Sequence, residues 1–123
     1  MTQHNFQIDS QTASVVRNNI EDAFQALASS NSGTAEPATT YANQIWYDTT
    51  NNLLKIRNEA DSAWITVGEV DQTNSRFNPV IGDWKILLSS TSLIFEHSGT
   101  AKGKLESNGD LTVTGNVTAN GSI

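Results

Sequence analysis

From residue 11 to residue 30 the apolar positions follow a helical period. Ala13, Val16, Ile20, Ala23 and Leu27 are separated by 3, 4, 3 and 4 residues. That is the seam of a short coiled coil rather than the broader stripe of a helix lying on a sheet. Phe24 widens the stripe by one position. Ser10 or Thr12 is placed to cap the first turn, and Ser29-Ser30-Asn31-Ser32-Gly33 supplies the polar breakers and glycine that end the helix. Two heptads alone hold a helix poorly in water, so this one needs a partner. Two readings are open: docking on the β region that follows, or association with copies of itself. Ahead of the helix, residues 1–10 form a polar arm carrying Phe6 and Ile8, and residues 31–43 behind it read as a linker.

Beyond the linker the period falls to two. The stretches 44–48 (QIWYD), 53–58 (LLKIRN) and 63–67 (AWITV) are rich in β-branched and aromatic residues and are joined by four-residue stretches of turn composition. They predict a three-stranded meander over 44–70. Alternation groups Trp46, Leu54, Ile56 and Trp64 as its buried set and leaves Lys55 and Arg57 on the opposite face. Residues 71–83, with Asn78-Pro79 and Gly82, read as a second linker. Strand character returns over 84–88, 93–97 and 101–106, opening the last region, 84–123.

The tail then becomes periodic. Gly103, Gly109, Gly115 and Gly121 recur every six residues, each followed two places later by an aliphatic residue: Leu105, Leu111, Val117 and Ile123. Six is even, so in an extended chain these four side chains share one side. One aliphatic group per six residues is too little to enclose a core within one chain. Three chains wound about an axis supply three per level and can enclose one. A left-handed β-helix and chance spacing in a polar tail are the competing readings. The run stops in phase on Ile123, which points either to the N-terminal portion of a longer molecule or to the end of the ordered part. Self-association at this end favours the same reading for the helix. The expected fold is therefore mainly β with one N-terminal helix, in an elongated homotrimer: short coiled coil, small β-meander collar, and intertwined shaft of hexad repeats.

Composition sharpens this picture. Asn, Ser and Thr number 13, 13 and 14, about a third of the 123 residues, while charged residues are 16%, well below the usual ~25%. Little apolar material is left for a private core. Seven scattered Lys and Arg against 13 Asp and Glu give a formal charge of -6, which argues against nucleic acid as a partner. No apolar stretch approaches the ~20 residues of a bilayer-crossing helix, so membrane insertion is not expected. Cysteine is absent, removing thiolate metal sites and cysteine nucleophiles.

The run 41–58 (YANQIWYDTTNNLLKIRN) resembles the N-terminal, virion-proximal module of tail fibre proteins from tailed bacteriophages. The preceding 26–33 (ALASSNSG) and the closing 109–119 (GDLTVTGNVTA) are similar to segments of such fibres too. The resemblance implies a structural virion protein made in the host cytoplasm: a homotrimeric tail fibre whose N-terminal end docks on a tail adaptor, tail-tube or baseplate protein. A host surface receptor would be met only by a distal region outside this sequence. Phe6 and Ile8 are then the expected attachment residues. Ala13, Val16, Ile20, Ala23, Leu27, Leu105, Leu111, Val117 and Ile123 are the expected trimer contacts. A head-fibre or capsid-decorating protein and a glycan-binding module are the alternatives, the latter through Trp46, Trp64 or Trp84.

Candidate chemistry adds no enzyme. His4 and His97 stand apart, with no spacing for a metal site. Asp48 with Asp61, and Asp71 with Asp83, can be imagined as carboxylate pairs, but all four flank turns, where Asp bonds its own backbone. No serine sits in a nucleophile elbow and no glycine loop precedes a helix to cradle phosphate. Neither a catalytic residue nor a cofactor is expected.

Overall fold

A computed structural model describes residues 3–118: one helix followed by one antiparallel sheet. Helix α1 runs from Ala13 to Ala28. Thr12 occupies its N-cap, but the hydroxyl faces Ser14 Oγ at 3.4 Å and caps no amide. At the other end Ser29 donates its amide (3.0 Å) and its hydroxyl (2.9 Å) to the Gln25 carbonyl. Ser30 and Asn31 then take left-handed backbones, φ 52° and 51°, and the chain leaves the helix.

The sheet contains β1 (Ile45–Asp48), β2 (Leu53–Arg57), β3 (Trp64–Asp71), β4 (Arg76–Ile81), β5 (Trp84–Ser89), β6 (Ser92–His97), β7 (Thr100–Leu105) and β8 (Leu111–Val113), in spatial order β1 to β8. Each strand pairs with its neighbour in the chain. Two corrections to the sequence reading follow. The 71–83 stretch is no linker: it holds the end of β3, a turn and the whole of β4, with Phe77, Pro79 and Ile81 in alternation. Between Leu105 and Leu111 the chain does not run on extended. It reverses at Gly109, φ 94°, and the two leucines face each other across β7 and β8.

The turns explain why the strands meet where they do. Asp48 Oδ1 accepts the amides of Thr50 and Asn51, and Asn51 Nδ2 donates to Asp48 Oδ2. Asp71 does the same with Thr73 and Asn74. Each turn closes on a positive-φ residue, Asn52 or Ser75. These two Asp-x-Thr-Asn turns fix the β1–β2 and β3–β4 registers.

Register decides the faces. Trp46 stands opposite Lys55, and Trp64 opposite Arg57, so the tryptophans share a face with the basic residues rather than with Leu54 and Ile56. Lys55 Nζ lies 4.5 Å from the Trp46 ring centroid, and the Arg57 guanidinium 5.3 Å from that of Trp64. This correction runs through the whole sheet. One face carries Asp48, Lys55, Arg57, Glu69, Arg76, Lys85, Glu96 and Lys104. The other carries Ile45, Leu54, Ile56, Ile65, Val70, Phe77, Pro79, Ile81, Trp84, Ile86, Leu88, Leu93, Phe95, Leu105, Leu111 and Val113 by the same registers.

Burial is inverted relative to an ordinary sheet. Trp46, Asp48, Asn78 and Ser92 are buried, and all four sit on the charged face. Segment 31–37 returns to that face. Gly33 bridges to β1 through Tyr47 and Thr49, and Glu36 accepts from Trp64 Nε1 at 2.8 Å. The small core thus lies where the helix end (Ala26), this segment (Asn31, Ser32) and β1 come together.

Candidate functional site

Among the described residues, two apolar surfaces are the features that ask for a partner. The first is the helix seam. The extensive contacts between elements run only between consecutive strands, so α1 does not lie on the sheet. Of the seam residues expected from the sequence, Ala13, Ile20 and Leu27 are exposed, while Val16 and Ala23 are half-buried. Leu27 and the flanking Phe24 are 62% and 65% exposed. An amphipathic helix of 16 residues anchored at its C-terminal end by Ala26, with Ile20, Phe24 and Leu27 exposed, has little local packing to keep it formed.

The second surface is the apolar face of the sheet. Ile65, Phe77, Ile81, Trp84, Leu88 and Leu111 on it are all exposed, Ile81 to 68%. No described element covers it. Leu105 and Leu111, expected as shaft contacts, belong to its far edge. Val117 is exposed beyond β8, while Ile123 and Gly121 lie outside the described residues. Sequence reasoning missed Ile65, Phe77 and Ile81 as a surface because it paired the tryptophans with the aliphatics. The four-residue turn 49–52 held the signal: it sets Trp46 against Lys55, and a one-residue error in parity flips every side chain.

The charged face is closed by its own ion pairs. Lys55 Nζ meets Asp48 Oδ2 at 2.9 Å, and Arg57 Nε meets Asp61 Oδ1 at 2.7 Å. Lys85 Nζ bridges Glu69 (3.0 Å) and Glu96 (3.4 Å), and Lys104 pairs with Glu106. Burial pushes the Asp48 carboxyl up, but hydrogen bonds from Asn51 and Lys55 outweigh it and hold its pKa at about 2. The hydrogen bond that Lys85 donates to the Glu69 carboxylate raises the lysine above its ordinary value. The carboxylates of Asp48, Asp61 and Asp71 are each engaged within their own hairpin. Among the described residues no group of three or more His, Asp or Glu side chains is arranged to hold a metal.

The arm is not free. The His4 amide donates to Asn31 Oδ1 at 2.8 Å, and Tyr41 Oη donates to the Asn5 carbonyl at 2.6 Å. The ring of Phe6 stands 6.2 Å from that of Tyr41 and lines an open cleft of about 330 Å³ with Ala26, Leu27, Asn31, Gln44 and Ile45. Phe6 is therefore half-buried against its own chain, whereas Ile8 remains exposed. Asn31 Nδ2 and Gln44 Nε2 are buried near this cleft without a hydrogen-bond partner.

No family model, curated protein or solved structure matches the chain. What is shown is an architecture: one helix and an eight-stranded antiparallel sheet. Among its described residues no helix is long and apolar enough to cross a membrane.

Proposed function

We propose that the chain is a structural, non-enzymatic part of a phage virion, the virion-proximal end of a homotrimeric tail fibre. The observation that carries this reading is the bare helix seam. Ile20, Phe24 and Leu27 are exposed on a helix that packs on no strand and is held to the rest of the chain at its C-terminal end, around Ala26, and three such helices bury one another's stripes about an axis. The resemblance of 41–58 and of the glycine-spaced tail to phage fibres supplies the address. In this reading α1 gathers three chains, the sheet builds the collar and the tail begins the shaft. The arm meets a tail adaptor, tail-tube or baseplate protein, with Ile8 presented outward and Phe6 anchoring the arm to its own body.

Sedimentation of the intact chain tests the assembly. A trimer is expected, and Ile20→Ser with Leu27→Ser should return it to monomer; a wild-type chain that sediments as a monomer at micromolar concentration overturns the reading. Removing residues 1–10 should leave the trimer and abolish incorporation into particles. A glycan-binding module remains the second reading, because Trp84 is exposed beside His97, ring centroids 5.0 Å apart. It requires Trp84 fluorescence to respond to host polysaccharide.

A further inference from the structure

The helix seam accounts for three chains meeting, but it leaves the sheet's apolar face open to water. We infer that this face is a second self-association surface: it packs against the same face of neighbouring copies, with the ion-paired face turned to solvent. The inference rests on the self-assembly proposed above and extends it to residues the seam does not include.

Three observations choose a copy of this chain as the occupant. The first is charge. Every Asp, Glu, Lys and Arg of the eight strands falls on the opposite face by register, apart from Lys102, the unpaired residue of the β7 bulge. A partner bringing charged groups here would strip them of water with nothing to pair against. A partner bringing an equally uncharged surface loses nothing, and the chain itself carries one. The second is net charge. Copies of formal charge -6 repel, and they approach most cheaply through the one broad surface free of carboxylates. An anionic membrane offers no such solution. The third is area. Eight strands about 4.8 Å apart, each about five residues of about 3.3 Å, make a face of roughly 600 Å². Together with the helix stripe it matches the ~800 Å² per partner of a stable specific interface.

Burial inside the single chain agrees with this division. Side chains that a lone sheet would send inward (Ile65 55%, Phe77 49% and Ile81 68% exposed) are outside, while Trp46, at 4%, is enclosed on the charged side. The sheet's two faces are finished to different degrees, and only the uncharged one is unfinished.

The absence of cysteine from the chain makes the test clean. Single variants Ile65→Cys and Ile81→Cys report the apolar face, and Ser89→Cys, exposed on the charged face, is the control. Each full-length variant is checked for its far-ultraviolet spectrum and sedimentation, then labelled with a polar maleimide. Protection of both apolar-face positions by about tenfold relative to Ser89→Cys, in a sample that sediments as an oligomer, is the expected result. An oligomer in which all three positions label equally fast overturns this inference and leaves the helix-driven trimer standing. A folded monomer with fast labelling overturns both. Hydroxyl-radical footprinting of the unmodified chain reads Phe77 and Trp84 directly, with the Ile20→Ser/Leu27→Ser variant for comparison. Equal oxidation in oligomer and monomer would likewise overturn the inference.

Discussion

Asp48 and Asp71 occupy equivalent places in two hairpins 23 positions apart in the sequence, and their carboxylates make the same three turn hydrogen bonds. They differ in what else they meet. Asp48 is buried and holds Lys55 at 2.9 Å, whereas Asp71 is only half-buried. Asp48→Ala removes the turn and leaves a half-buried ammonium unpaired beneath Trp46, an expected loss of about 2–3 kcal/mol. Asp71→Ala loses the turn alone and should cost distinctly less. Urea unfolding of the two variants side by side measures the difference.

The same carboxylate makes stability fall in acid. The Asp48 pKa is depressed from 3.8 to about 2, so folding favours its ionised form. Its contribution is complete above the unfolded value, near pH 4, and disappears as pH drops towards 2. The shift corresponds to roughly 2 kcal/mol. Thermal unfolding followed from pH 5 to pH 2 should show this slope, and Asp48→Asn should flatten it.

Phe77 lies across Gly68 so closely that an added Cβ would enter the ring, and that Cβ would also stand 2.9 Å from the Asn78 carbonyl oxygen. Gly68→Ala should therefore cost about 1–3 kcal/mol by overpacking. Gly103→Ala is the control, because its Cβ would meet Phe95 at an ordinary 3.6 Å. Near-equal denaturation midpoints for the two would contradict the close packing of Phe77.

Gly109 supplies the reversal between β7 and β8 at φ 94°, with open space around it. Gly109→Ala meets no clash, only backbone strain of about 1–2 kcal/mol. The loss should be local: amide exchange should quicken in Leu111–Val113 while β2 and β3 keep their protection.

Much of the secondary structure was legible in the residues. The helix expected over 11–30 forms over Ala13–Ala28, and the strands expected at 44–48, 53–58, 84–88 and 93–97 match β1, β2, β5 and β6 within two residues at each end. β4 was hidden by Asn78-Pro79, which reads as a breaker. Pro79 is accommodated because β4 pairs with β3 through Pro79 and with β5 only from Val80 onward. The faces were misread for a different reason. Tryptophan is normally grouped with aliphatics by burial, yet here Trp46 is buried by basic side chains and a returning segment on the polar side. Composition cannot report that; only turn length and register can.

Strict nearest-neighbour order in the sheet also sets the order of events during synthesis. Each strand closes on the one that left the ribosome just before it, and none waits for a distant stretch of sequence. On the self-assembly proposed above, encounter between finished subunits is then the slow, concentration-dependent stage of maturation. Until it happens a greasy wall stands open to any passing hydrophobic surface, so expression level and temperature, rather than the folding code, should govern how much product is recovered in useful form.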